Sequence, residues 1–167
     1  MLFMNARRRK RTEIEGEPGM AQTAYSIEDY IVDIRAIVSE ETNDRAITDR
    51  IKPLAQRLAT DKHWFKGSYR GVDAEQGFGL HLLHEEDNHD LAVFVIAWEP
   101  GKGVGPHNHL TWAVVAGLEG QEQETNYRRL DDGARAGFAD LEPTSKSTMT
   151  AGDVVACKRD DIHAVYN

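Results

Sequence analysis

Gly101-Lys-Gly-Val-Gly-Pro-His107-Asn-His109 is the stretch that decides the fold, and it carries two histidines one residue apart. If this segment is a strand, both imidazoles point to the same face, because side chains alternate with a period of two. A third histidine, His163, lies close to the end of the sequence. Three histidines can bind one metal ion and leave coordination positions open, as catalytic sites do. We therefore predict His107, His109 and His163 as metal ligands.

The spacing around the histidine pair resembles the first motif of the cupin superfamily, Gly-(x)5-His-x-His-(x)3-Glu-(x)6-Gly. Gly101 and Gly120 occupy the two glycine positions of that motif. Ala113 stands where the motif has its glutamate. The missing carboxylate suggests that an anion at the metal would come from the substrate rather than from the protein.

The end of the sequence resembles the second cupin motif, Gly-(x)5-Pro-x-Gly-(x)2-His-(x)3-Asn. Gly152, His163 and Asn167 fall at its spacing, whereas Lys158 and Asp160 replace its proline and its second glycine. Two motifs in the right order imply a mostly β fold, a cupin double-stranded β-helix barrel with N-terminal helices.

Longer segments resemble the cysteine dioxygenase family of thiol dioxygenases. The similarity covers residues 78–167 well and residues 26–60 more loosely, and it rests on the segments 98–109, 111–120, 124–128 and 163–167. The resemblance implies that three histidines bind Fe(II) and that O2 oxidises a small thiol to a sulfinic acid. The ligands carry over to His107, His109 and His163, and no catalytic residue is predicted beyond them.

Three departures from that family affect the predicted substrate. Members with a thioether crosslink have cysteine at the position of Ala113, so no crosslink is expected here. Phe78 and Leu80 align with a tyrosine and with the arginine that holds the carboxylate of cysteine. Cysteine itself is therefore not the expected substrate. Other arginines that could substitute are interpreted as solvated surface residues: Arg70, Arg128 and Arg129.

The family continues beyond its third histidine with further barrel strands, whereas this sequence has four residues after His163. We expect either a member truncated at its C-terminus or a barrel that neighbouring elements close in another way. Exposed strand edges favour pairing with a second chain, so a homodimer is a further expectation.

The sequence does not choose the metal or the reaction. Fe(II) suits imidazole together with a thiolate, but zinc or another divalent ion also binds three histidines. Three functions remain open: a thiol dioxygenase, a metal cupin dioxygenase acting on a diketone-like substrate, and an inert cupin that binds a small molecule.

Composition limits the other partners. The chain has 167 residues and a net charge of −8, and an acidic protein repels nucleic-acid phosphates. No run of 18 apolar residues and no signal peptide are present, and Cys157 is the only cysteine. We expect a cytoplasmic protein that binds neither nucleic acid nor membrane.

The pattern along the chain divides it into two parts. Residues 1–24 include a basic run and are predicted to be a flexible lead-in, with Met20 as an alternative start. Residues 25–167 are predicted to form one cupin domain. Its helices are expected at 26–40 and 44–59, with a kink or break near Pro53, and its strands at 80–84, 91–98, 109–118, 121–130, 147–150, 154–157 and 162–166.

Overall fold

The computed structural model describes residues 2–5 and 24–167. They form a mostly β protein with two helices, α1 (Ile27–Glu40) and α2 (Asp44–Thr60), followed by short 3₁₀ turns at Lys62–Trp64 and Gly67–Arg70. The strands are β1 (Leu2–Asn5), β2 (Phe78–Glu85), β3 (Ala92–Trp98), β4 (Gly103–His107), β5 (Ala113–Glu119), β6 (Gln121–Arg129), β7 (Leu141–Thr150), β8 (Val154–Cys157) and β9 (Ile162–Tyr166).

Helix α1 begins where the sequence predicts. The hydroxyl of Ser26 accepts a hydrogen bond from the backbone N–H of Asp29, and the carboxylate of Asp29 accepts one from the backbone N–H of Ser26. This capping box satisfies two amide groups at the start of the helix. The predicted N-cap is confirmed.

Of the kink or break expected near Pro53, the break is wrong, because helix α2 continues through this residue. Ile51, Ala55 and Leu58 lie on both sides of the proline along the helix, and each is at most 1% exposed. Burial of this continuous apolar face offsets the loss of one helical hydrogen bond at Pro53.

The strands form two open sheets. The first has the order β2-β3-β1-β5-β8, and the second has the order β4-β9-β6-β7. Among the described residues, the edge strands β2, β8, β4 and β7 each pair with one neighbour. The mostly β class with two helices is therefore established, whereas closure into a cupin barrel and pairing into a homodimer remain predictions.

Alternation along β3 and β5 separates the core from a cavity. Val93, Val95 and Ala97 face the helices and belong to the main core, together with residues of β5. Ile96 and Trp98 face the other way and line a cavity between the two sheets. The five-stranded sheet thus buries one face under the helices and turns its other face toward the candidate site.

Strand β1 corrects the expectation of a flexible lead-in for part of residues 1–24. Leu2–Asn5 runs parallel to both β3 and β5 and pairs with residues of each strand. It supplies backbone partners to two strands that would otherwise lack them on one side. The rest of the predicted lead-in, up to residue 23, lies outside the described residues.

Two other strand predictions need correction. The strand expected at 109–118 begins only at Ala113, because β4 ends at His107 and a loop follows. Strand β7 is longer than the predicted 147–150, since it pairs with β6 over nearly its whole length, from Leu141 to Thr150.

Within residues 24–167, neither helix combines the length and the apolar character that crossing a bilayer requires.

Candidate metal centre

The structure brings together the three histidines that the sequence singles out. His107 ends β4, His109 lies in the loop after it, and His163 lies on β9, directly opposite His107 in the antiparallel pairing. Each offers a ring nitrogen, and these atoms lie within 4.8 Å of one another. The Nε2 atoms of His109 and His163 are 2.9 Å apart. This convergence is the geometry that the motif spacing predicts.

The reason for the convergence differs from the sequence argument. His107 and His109 do not share a strand face, because the strand ends at His107. Leu110, the next residue after the pair, adopts a left-handed backbone with φ of 57°. That conformation costs a non-glycine residue about 1–2 kcal/mol. The tight loop, rather than strand alternation, returns the imidazole of His109 toward His163.

Hydrogen bonds fix the tautomers of two of the histidines. His107 donates from Nδ1 to the carbonyl oxygen of Gly105 at 2.9 Å. His163 donates from Nδ1 to Oε1 of Glu124 at 2.8 Å. Because a neutral imidazole carries one proton, the Nε2 atoms of both rings keep their lone pairs. Metal-binding histidines in proteins are oriented by hydrogen bonds of this kind.

The electrostatic environment keeps His109 neutral. Burial, followed by the neighbouring His163 and His107, lowers its pKa to about 4. Desolvation and like charges both disfavour the protonated ring. His109 is therefore in the form that binds a metal at neutral pH.

Glu124 and Cys157 form a second group around His163. All three residues are buried, and their ligand atoms also lie within 4.8 Å of one another. The Sγ atom of Cys157 is 3.8 Å from Nδ1 of His163. Burial, then Glu124 and Asp161, raise the pKa of Cys157 to about 12. Since thiolates rather than thiols bind metals, we interpret this group as the support that orients His163.

The sequence interpretation missed the buried carboxylates of β6. This segment was expected to be an exposed strand, yet Glu122 and Glu124 are 4% and 7% exposed. Strand β6 lies between β9 and β7 and turns every second side chain inward. The one available signal was the alternation of glutamine and glutamate in Gln121-Glu122-Gln123-Glu124, which fits a strand with two different faces. Because all four residues are polar, the alternation did not indicate that one face is buried.

The three histidines lie at a cavity of about 220 Å³ between the sheets. Beside them and the two glutamates, the wall is mainly apolar: Phe78, Ile96, Trp98, Val104, Val115, Val155 and Val165. Among the residues that the structure describes, no lysine or arginine lines this cavity.

The residues considered as substitutes for a substrate-binding arginine lie elsewhere. Three arginines form ion pairs with surface carboxylates, namely Arg70 with Glu119, Arg128 with Glu142 and Arg129 with Asp131. Leu80, which aligns with the family's arginine, is 59% exposed and does not line the cavity, whereas Phe78 does. The three ion pairs agree with the interpretation of Arg70, Arg128 and Arg129 as surface residues.

No known protein-family model matches the chain, and no curated protein matches it in sequence.

Proposed function

We propose that this protein is an Fe(II)-dependent thiol dioxygenase of the cupin type, which oxidises a small thiol to a sulfinic acid. The observation that carries the proposal is the convergence of His107, His109 and His163 in the wall of one mainly apolar cavity. The resemblance of the sequence to the cysteine dioxygenase family supports the choice of reaction, and it also supports closure of the two sheets as a cupin barrel.

The donor set fits a divalent metal ion. Two nitrogens that each lie about 2.1 Å from one ion, at adjacent positions, are separated by about 3 Å. The Nε2 atoms of His109 and His163 are 2.9 Å apart. Three neutral donors leave the charge of the ion uncompensated, which favours a thiolate as an additional ligand.

When bound, Fe(II) supplies the redox chemistry that couples O2 to oxidation of sulfur. The overall reaction is R–SH + O2 → R–SO2H, so both oxygen atoms and the proton are retained in the product. The sulfur loses four electrons and O2 accepts them, and no further reductant is needed.

The residues of the chain contribute position and environment. His107 and His163 present Nε2 lone pairs because Gly105 and Glu124 accept the protons on their other nitrogens. The apolar wall, including Ile96 and Val165, limits water around the reacting sulfur. A dry cavity strengthens the electrostatic interactions between the ligands and the bound substrate.

The test is metal analysis of the purified protein followed by anaerobic loading with Fe(II). Oxygen uptake is then measured with cysteine, 3-mercaptopropionate, cysteamine and 2-mercaptoethanol, and the products are identified by mass spectrometry. We expect one sulfinate per O2 consumed. His107→Ala should abolish uptake, whereas the matched control His84→Ala, a histidine paired with Glu86 outside the cavity, should leave it unchanged.

Full iron occupancy without sulfinate from any thiol would overturn the thiol dioxygenase assignment. Oxygen uptake with a diketone such as acetylacetone under the same conditions would then support the diketone alternative. Absence of turnover with every substrate would support an inert binding protein.

A further inference from the structure

Glu122 is a buried carboxylate on the cavity wall to which the proposed reaction gives no role. It lies on β6 two residues before Glu124, and both side chains face the cavity. The indole N–H of Trp98 donates a hydrogen bond to it. A carboxylate has about four lone-pair positions, so one donor leaves most of its acceptor capacity for a ligand in the cavity.

Among the described residues, no lysine or arginine lines the cavity beside Glu122. The ionisable residues of this described lining are Glu122, Glu124 and the three histidines. Burial, followed by repulsion from Glu124, raises the pKa of Glu122 to about 8. A buried carboxylate is stabilised when a cation approaches it, and a cationic ligand would supply the partner that the described lining lacks.

We propose that the substrate is a small aminothiol without a carboxylate, whose ammonium group binds Glu122 while its sulfur lies at the histidine end. This inference rests on the proposed function for the position of the sulfur. It adds a specificity-determining residue and a substrate class, of which 2-aminoethanethiol (cysteamine) is the simplest example.

The layout of β6 provides the distance between the two ends. Glu124 contacts His163, and Glu122 lies two residues before Glu124 on the same face of β6. A step of two residues along a strand spans about 7 Å. A ligand with sulfur and nitrogen separated by a short carbon chain can therefore contact both ends, and its methylene groups pack against the apolar wall.

The same wall disfavours thiols with a carboxylate. The described lining of the cavity holds two acidic side chains, Glu122 and Glu124, and no lysine or arginine, so a substrate carboxylate would be buried there without a partner of opposite charge. Burial of an unpaired charge is strongly unfavourable. Cysteine and 3-mercaptopropionate are therefore expected to bind less well than cysteamine.

The first experiment measures thiol binding to the Co(II)-loaded protein through the absorption band of a cobalt–thiolate bond. Three thiols of similar size are compared under anaerobic conditions: cysteamine, 2-mercaptoethanol and 3-mercaptopropionate. We expect cysteamine to bind at least tenfold more tightly than either of the others. Glu122→Gln keeps the size of the side chain and an acceptor for Trp98, and it should remove this preference.

The second experiment needs no metal. Binding of n-butylamine, n-butanol and butyrate to the metal-free protein is followed by tryptophan fluorescence, because Trp98 lines the cavity and contacts Glu122. We expect the amine to bind at least tenfold more tightly than the alcohol or the acid, and Glu122→Gln to abolish the difference.

Glu142→Gln is the control in both experiments, because it changes the net charge equally at an exposed residue on β7. Equal binding of all three thiols to the cobalt protein would overturn the aminothiol inference and leave the metal site intact. Failure of cobalt to bind, or of any thiol to give the absorption band, would overturn the proposed function. In that case the measurement with the metal-free protein remains as the test of a cation site at Glu122. Equal binding of n-butylamine, n-butanol and butyrate would overturn that site.

Discussion

Glu124 accepts a hydrogen bond from Nδ1 of His163 at 2.8 Å, and both side chains are buried between the two sheets. Strands β6 and β9 pair so that Asn126 lies opposite His163. Glu124 lies two residues before Asn126 on β6, so its carboxylate reaches His163 diagonally across the two strands. This contact links an acid that the sequence left unassigned to the histidine of the second cupin-like motif.

Substitution of Glu124 should weaken metal binding. Glu124→Gln removes the charge that holds the proton on Nδ1 of His163, and loss of such an orienting partner typically lowers metal affinity 10- to 100-fold. The affinity for Zn(II) or Co(II) is measured by competition with a chromogenic chelator. Glu142→Gln on the protein surface should have no effect, and an unchanged affinity for Glu124→Gln would contradict the assigned role.

Loss of the two opposed histidines should have different effects on stability. His163 is 3% exposed, and its removal leaves Glu124 buried without this partner. His163→Ala should therefore lower the free energy of unfolding of the metal-free protein by about 2–4 kcal/mol. His107 is only partly buried, so His107→Ala should cost less than about 1 kcal/mol. Urea denaturation of the metal-free variants measures both values, and equal costs would count against the environment described for His163.

Cys157 should not be a metal ligand. Its raised pKa keeps the thiol protonated, and its Sγ atom contacts Nδ1 of His163 at 3.8 Å. Cys157→Ala should leave the affinity for Zn(II) within about threefold of that of the unaltered protein, at a modest cost in stability. A loss of affinity of a hundredfold or more would show that Glu124, Cys157 and His163 form the true metal site.

The raised pKa of Glu122 predicts a dependence of stability on pH. The folded protein holds a proton on Glu122 up to about pH 8, whereas the unfolded chain releases it near the ordinary glutamate value of 4.5. Because the folded state binds more protons between these values, this residue lowers the stability as pH rises from about 4.5 to 8. Glu122→Gln removes the contribution.

The measurement is urea denaturation of metal-free protein at pH 5 and at pH 8.5. The free energy of unfolding of Glu122→Gln minus that of the unaltered protein should be larger at pH 8.5 than at pH 5, by on the order of 3 kcal/mol. The lowered pKa of His109 has the opposite effect and makes stability rise with pH between about 4 and 6.5. This contribution is the same in both proteins, so it cancels when their free energies of unfolding are subtracted. A difference between the two proteins that does not change with pH would refute the raised pKa of Glu122.

Strand β1 should be necessary for full stability. Leu2–Asn5 pairs with both β3 and β5, so a chain that begins at Met20 leaves each of these two strands without a partner on one side. We expect its melting temperature to fall by about 5 °C or more. Phe3→Pro should act in the same direction, because proline cannot donate a ladder hydrogen bond in a central strand. Arg8→Pro, outside the strand, is the control, and an unchanged melting temperature for the chain from Met20 would contradict the pairing.

Local sequence patterns determined much of the fold. Helix α1 and its cap at Ser26 could be predicted because capping and apolar spacing act within a few residues of the chain. Strands β3, β8 and β9 follow from short runs of apolar and β-branched residues bounded by turns. The motif spacing also identified the three histidines, because it encodes which residues lie next to each other in this class of site.

Tertiary structure alone decided the rest. The strand β1 has no local signal that distinguishes it from a flexible terminus, because its partners β3 and β5 lie about ninety residues or more away in sequence. His109 lies in a loop that contains a left-handed residue, Leu110, and no residue type in that loop indicates this conformation. Glu122 and Glu124 look like surface acids in the sequence, and they are buried because their face of β6 is turned toward the other sheet. Side-chain chemistry therefore selected the ligands, whereas long-range strand pairing selected the residues that surround and orient them.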